Sequence, residues 1–240
     1  MKTAIFITVR LDSSRLPNKA INTILNKTVL ELIITRAKCA QEIDEIIVCT
    51  STREIDDIVV QIAKKLGIKF YRGSLSDKLD RWNKAAKNHS VDYIVTFDGD
   101  DLFCDPYLID LGAKQIRSGQ FDFIEAPKGL VCGGFTYAFT AKALDKVCSI
   151  KASDDTEMMW TYFKDTGMFK VGELEGVDDI YFSDNIRLTL DYPEDLVFFK
   201  KVFEHFNCVN NDVPLKDIMK YLNANPEVPK INFFRQKEFL

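Results

Sequence analysis

The run Ala4-Ile5-Phe6-Ile7-Thr8-Val9 leads directly into Arg10-Leu11-Asp12-Ser13-Ser14-Arg15-Leu16-Pro17-Asn18-Lys19. The first part is apolar, rich in β-branched residues and closed by a charge, so it reads as a buried strand. The loop behind it carries three cations and two serine hydroxyls but no glycine. It is therefore neither a Walker A loop nor a dinucleotide-binding G-x-G-x-x-G. Open α/β sheets bind ligands at the carboxyl ends of their strands. Arg10, Arg15 and Lys19, with Ser13 and Ser14, are accordingly candidates to hold a polyphosphate. Composition alone favours a solvated basic loop.

Outward from this strand, the first half alternates strand and helix signals. Glu45–Cys49, Ile68–Tyr71, Tyr93–Phe97 and Phe121–Ile124 read as further buried strands. Between them, Val29–Ala40 follows the N-cap candidate Thr28, and Ile55–Leu66 has helical spacing. Ser74-x-x-Asp77 precedes a helix from Leu79 to Ala86, and Asp105-Pro106 opens one to about Ile116. This alternation predicts right-handed crossovers and a mainly parallel sheet covered on two faces. In the second half, Phe135–Phe139 and Ile186–Leu190 are expected strands. Thr140–Val147, Asp155–Phe163, Pro193–Phe206 and Leu215–Leu222 are expected helices. No linker, repeat or low-complexity stretch intervenes, so a single domain with a mixed sheet is expected over 1–240.

The whole-chain properties exclude several classes. A formal net charge of −4 argues against a protein that coats nucleic acid. The six cysteines form no C-x-x-C pair, and His89 and His205 lie far from any two of them, which argues against zinc. Cysteines in apolar company suit a reducing compartment. The N-terminal apolar run is too short for a membrane span or a signal sequence, so a cytoplasmic protein without a membrane partner is expected.

Three further stretches can carry chemistry. Thr96-Phe97-Asp98-Gly99-Asp100-Asp101 ends a central strand with three carboxylates that repel one another unless a cation neutralises them. Magnesium takes one or two carboxylates together with phosphate oxygens, which suits this cluster; a solvated acidic turn is the plainer alternative. Tyr71-Arg72-Gly73-Ser74 follows a strand, where backbone amides and a hydroxyl could meet a base or ribose, or could simply form a turn and helix cap. Arg187-Leu188-Thr189-Leu190-Asp191-Tyr192-Pro193-Glu194-Asp195 gathers carboxylates at a helix N-terminus, where capping is commonplace.

Together these stretches resemble the sugar cytidylyltransferases: the 3-deoxy-manno-octulosonate and acylneuraminate enzymes and the branch named for spore-coat polysaccharide synthesis. Residues 10–19 are similar to their pyrophosphate-holding R-x-x-S-[ST]-R-L-P-x-K. Gly99-Asp100 matches the start of G-D-x-P-L-x-x-P, with Leu102 in place of the first proline. Arg72–Arg81 resembles R-G-S-x-x-D-V-L-D-R, and Arg187–Leu196 resembles R-[LW]-T-[VL]-D-Y-P-E-D-[LF]. The tail Leu222–Asn232 is also similar to the spore-coat branch.

The resemblance implies a three-layer α/β/α fold of the nucleotide-diphospho-sugar transferase kind, a GT-A-like Rossmann variant. Residues 1–126 would form the nucleotide-binding half, and 127–240 the half that binds acceptor and completes the metal site. It further implies a Mg²⁺-dependent transfer of CMP from CTP to a small acidic sugar-like acceptor, with release of pyrophosphate, in surface-polysaccharide biosynthesis. Arg10, Arg15, Lys19 and Asp100 would be catalytic. Nucleotide contacts would come from Arg10, Ser13, Ser14, Arg15, Lys19, Arg72, Gly73, Ser74 and Asp98, and metal ligands would be Asp100 and Asp191. A homodimer is implied as well. Lys128–Gly134 and Asp155–Trp160 match least; Glu157 falls where the branch has a Glu-His pair, with Met158 in place of the histidine. Two alternatives stay open: a glycosyltransferase using Asp98-Gly99-Asp100 as a D-x-D motif, and a nucleotide-binding homologue without catalysis.

Overall fold

The computed structural model describes residues 1–13 and 15–239, with only the backbone of Phe239. Its strands are β1 (Thr3–Thr8), β2 (Thr23–Ile24), β3 (Lys27–Thr28), β4 (Glu45–Ser51), β5 (Lys69–Gly73), β6 (Tyr93–Asp98), β7 (Phe123–Glu125), β8 (Tyr137–Thr140) and β9 (Val171–Glu173). Its α-helices are α1 (Val29–Ala37), α2 (Asp57–Lys65), α3 (Lys78–His89), α4 (Pro106–Arg117), α5 (Ala141–Ile150), α6 (Thr161–Lys164), α7 (Pro193–Phe206), α8 (Leu215–Ala224) and α9 (Gln236–Phe239). Among the described residues, seven strands form one sheet in the order β5-β4-β1-β6-β8-β7-β9, and β2-β3 form a separate hairpin. β5, β4, β1 and β6 run parallel. β8 is antiparallel to both β6 and β7, and β9 is parallel to β7. The expected single α/β domain with a mixed, mainly parallel sheet is the fold observed.

The period-2 geometry of a strand sends alternate residues of β1 to opposite faces. Ile5 and Ile7 join a core formed with α1, α2, α4, α7 and α8. Ala4 and Phe6 join a second core with α3, α5 and Phe163 of α6. The chain moves outward from β1 to β4 and β5, then returns to β6 on the other side of β1. That reversal makes a switch point between the carboxyl ends of β1 and β6, where an open sheet leaves a crevice.

Local signals explain most boundaries. Thr28 caps α1 in a reciprocal box with Glu31, and Asp105 caps α4 ahead of Pro106. Asp77 is the N-cap of α3, while Ser74 Oγ accepts from the Asp77 amide at 3.1 Å.

One expected element is absent and another is cut short. Residues 186–190 form no strand. Leu188 N bonds to Cys132 O at 2.9 Å and Leu190 N to Asp100 O at 2.8 Å, so the segment is shared between two partners and builds no ladder. Of Asp155–Phe163, only the end is helical, from Thr161. Thr156 Oγ1 donates to Asp77 and accepts from the Leu79 amide, both at 3.0 Å, which pins this segment against the start of α3, and residues 157–160 form a turn. β9 and the β2-β3 hairpin carry too few residues for a periodic signal.

Candidate active site

A cavity of about 700 Å³ opens at the switch point. Thr8 and Gly99, at the ends of β1 and β6, meet at its floor through Gly99 N and Thr8 O at 2.9 Å. A Cβ on Gly99 would lie 2.6 Å from that carbonyl oxygen, so only glycine lets the two strand ends close here. Arg10, Ser13, Arg15, Lys19, Asp98, Asp100 and Asp191 all line the cavity. Three segments far apart in sequence thus converge, as the strand-end argument expects.

Asn18 adopts the left-handed conformation (φ 57°), which asparagine tolerates, and the chain then turns into a short 3₁₀ segment beginning at Lys19. Lys19 Nζ lies 2.6 Å from Asp100 Oδ2 and 3.2 Å from Asp191 Oδ1. Arg15 reaches the same Asp191 Oδ1 at 2.8 Å. Burial works to lower the Lys19 pKa, but the two carboxylates outweigh it and the ammonium is held above its usual value. Burial likewise works to raise Asp100, and the Lys19 charge overrides it, leaving the carboxyl below its usual range. Asp98, 3.5 Å from Lys78 Nζ, stays above that range because of burial. Asp101 is pushed well above it by burial and then by the charges of Asp100, Asp98 and Asp191. The acidic cluster is therefore tolerated through the Lys19 and Lys78 ammonium groups that lie against Asp100 and Asp98.

On the other wall, Arg10 donates to Leu75 O at 2.6 Å and to Glu157 at 3.2 Å. Glu125, Tyr137, Glu157, Met158 and Trp160 line this side. Phe135, Tyr137 and Trp160 all border the cavity while packing with the two cores behind it, and Phe135 is buried. Gly133 (φ 87°) brings the 130–133 loop against residues 188–191, where a Cβ would lie 2.5 Å from Leu188 O. Leu102, in place of the family proline, is fully buried, and its carbonyl accepts from Asn211 Nδ2 at 2.7 Å.

Arg72, Gly73 and Ser74 do not border the cavity. The Arg72 guanidinium is held by Ser51 O at 2.9 Å, Arg53 O at 2.8 Å and Asp57 at 2.6 Å. Ser74 O and Leu75 O both accept from buried Arg81, and Leu75 O also accepts from Arg10. The stretch thereby supports the Arg10 wall from behind. Ser13 Oγ accepts from Leu16 N at 3.3 Å and shapes its own loop. Ser14 lies outside the described residues. Sequence reasoning overlooked Lys78, whose signal was its place directly after the Asp77 cap. It also overlooked Arg187, which stands in a quoted motif but whose burial no local pattern announces.

Among the described residues, no group of three or more carboxylate, histidine or cysteine side chains converges as a metal site. Asp100 and Asp191 nevertheless suit magnesium, which keeps positions open for phosphate oxygens. The Lys19 ammonium already bridges these two carboxylates, so their spacing accepts one shared cation.

An α/β sheet whose switch-point crevice presents cations beside carboxylates suits an enzyme that handles a polyphosphate. The profile of the family described as cytidylyltransferase matches residues 4–202, and this chain belongs to that family. It is a CTP-dependent nucleotidyltransferase, and the glycosyltransferase alternative falls away. It is 31% identical over 242 residues to an uncharacterised protein of Methanocaldococcus jannaschii, covering all of this chain and 98% of that one. It is 27% identical over 231 residues to the spore coat polysaccharide biosynthesis protein SpsF of Bacillus subtilis, covering 92% of this chain and 94% of that one. A solved cytidylyltransferase from Leptospira borgpetersenii superposes with a TM-score of 0.86 at 27% identity, over 95% of this chain and 96% of the other. No helix among the described residues is long and apolar enough to cross a membrane.

Proposed function

We propose that this chain transfers CMP from CTP to a small acidic sugar-like acceptor, releasing pyrophosphate, in surface-polysaccharide biosynthesis. The observation that carries the reading is the convergence of Arg10, Arg15 and Lys19 on the cavity that also holds Asp100 and Asp191. The SpsF relative supports the pathway class, and relatives named 3-deoxy-manno-octulosonate cytidylyltransferase support an acidic sugar. One of these, from Solibacter usitatus, is 27% identical over 176 residues.

In this reading residues 1–126 bind the nucleotide, and residues 127–240 contribute the acceptor wall and Asp191. An acceptor oxygen attacks the α-phosphorus and the bond to pyrophosphate breaks. Asp100 and Asp191 would hold Mg²⁺, which when bound supplies charge neutralisation on the phosphate oxygens. Arg10, Arg15 and Lys19 stabilise the departing pyrophosphate, the arginines through their planar forks and Lys19 as a point charge. Such transfers depend on positioning and charge neutralisation more than on covalent help. Arg72, Gly73 and Ser74, which stand off the cavity, would act only indirectly, through the support this stretch gives to the Arg10 wall. A homodimer completes the proposal.

The test is pyrophosphate release with each of the four nucleoside triphosphates, Mg²⁺ and a panel of acidic sugars. Release confined to CTP and one acceptor supports the reading. Release with a different triphosphate, or only with neutral acceptors, overturns the corresponding half of it.

A further inference from the structure

Asp191 is immobilised more completely than a cavity-lining carboxylate requires. Its Oδ1 faces Lys19 and Arg15, while its Oδ2 accepts from Arg187 Nη2 at 2.7 Å. Its own amide donates to Asp195 Oδ2 at 2.8 Å, as does the Tyr192 amide. Arg187 is fully buried and also donates from Nε to Asp195 Oδ1 at 3.2 Å. Two residues of the C-terminal segment close the arrangement. Asn232, fully buried, donates to Arg187 O at 3.1 Å and to Asp195 Oδ1 at 2.9 Å. Gln236 Oε1 accepts from Arg187 Nη1 at 3.1 Å. Both residues lie beyond the part of the chain that the family profile matches.

We propose that Arg187 is a positioning residue, braced by Asn232 and Gln236, that fixes the Asp191 carboxylate with Oδ1 presented to the cavity. The proposal rests on the reading that Asp191 serves the reaction as a cation ligand. The physical case is one of orientation. A carboxylate rotates about its terminal torsion at little cost. Here a guanidinium holds one oxygen and the backbone is held from the other side, so rotation would break a charge-assisted bond inside the protein. The guanidinium also sits between two carboxylates, Asp191 and Asp195, and keeps both tolerable in a buried place. A lysine there would keep the charge but lose the fork that meets Asp191, Asp195 and Gln236 together.

The experiment uses the full chain with Arg187→Lys, Gln236→Ala and, as a control on the same segment, Arg235→Ala. Arg235 pairs with Glu194 and Glu238 and lies over the Tyr192 ring at 4.8 Å, so its charge is engaged outside the pairing of Arg187 with Asp191 and Asp195. Three quantities are measured: kcat and KM for CTP, the affinity of the CTP-bound protein for Mn²⁺ by electron paramagnetic resonance, and the melting temperature. Outer partners of metal ligands typically shift affinity or activity about 10–100-fold. Arg187→Lys is expected to lower kcat by about tenfold or more and to weaken Mn²⁺ binding, leaving KM for CTP within about twofold. Gln236→Ala shifts both in the same direction but less, and Arg235→Ala shifts neither. Should Arg187→Lys unfold the chain, Gln236→Ala carries the test. A lower melting temperature with unchanged kcat and unchanged Mn²⁺ affinity overturns the proposal, since the network would then serve stability alone. Full activity in Asp191→Asn instead removes the underlying reading.

Discussion

Lys19 is the residue at which the basic loop and the acidic cluster meet. Its ammonium bridges Asp100 and Asp191 and so occupies the space between two candidate cation ligands. Replacing Asp100 by asparagine keeps the shape and removes the charge. Asp100→Asn is expected to abolish pyrophosphate release while leaving the melting curve and circular dichroism near those of the parent; normal turnover would take Asp100 out of the site. Lys19→Ala is expected to slow turnover about 10²–10³-fold, the scale of losing one transition-state donor, and to weaken CTP binding measured by calorimetry. An effect on acceptor KM alone would contradict the phosphate assignment. At this scale the identities of Arg10, Arg15, Lys19, Asp100 and Asp191 were legible in motifs. Their pairing was not, because Lys19 and Asp191 are brought together only by the fold. The case of Arg72 is similar: a cation beside a strand end looked poised for a ligand, yet three protein acceptors hold it.

Among the elements, those with strong terminal chemistry were readable and those shaped by a partner were not. α7 begins at Pro193 and ends at Phe206 as expected, because proline suits the first helical position and Asn207 leaves the helix in the left-handed conformation. The segment 155–160 has helical composition, but Thr156 bonds to α3 and prevents a helix there. α1 offers a direct test of local chemistry. Thr28→Ala removes the cap that accepts from Glu31 N and is expected to cost about 1 kcal/mol, read as a lower melting temperature. The Glu31 carboxyl accepts from the Thr28 amide and from Lys65, and its pKa is depressed below 4.5, the first bond contributing most. A depressed folded-state pKa stabilises the protein above the unfolded-state value, and the contribution disappears as pH falls through the folded-state value. Glu31→Gln should therefore lower the melting temperature at pH 7, with the gap to the parent closing as the pH is taken toward 3. A gap that persists in acid would show that the carboxylate charge is not the source.

The molecule as a whole is organised by two cores on opposite faces of one sheet, with the reacting groups at the rim where β1 and β6 end. The homodimer in the proposal is a property of this scale, and light scattering at several protein concentrations checks it. Twice the chain mass of 27.5 kDa is expected, and a monomer at every concentration rejects it. The sequence alone determined the α/β alternation, the caps and the chemistry on offer, since propensity, period and charge act between near neighbours. It could not show that residues 186–190 would cross the sheet end as a shared segment. Nor could it show that Asn232 and Gln236 would brace Arg187 from 45 and 49 residues away. Those outcomes depend on which buried polar groups find one another once the apolar faces have packed, and only the tertiary structure decides that.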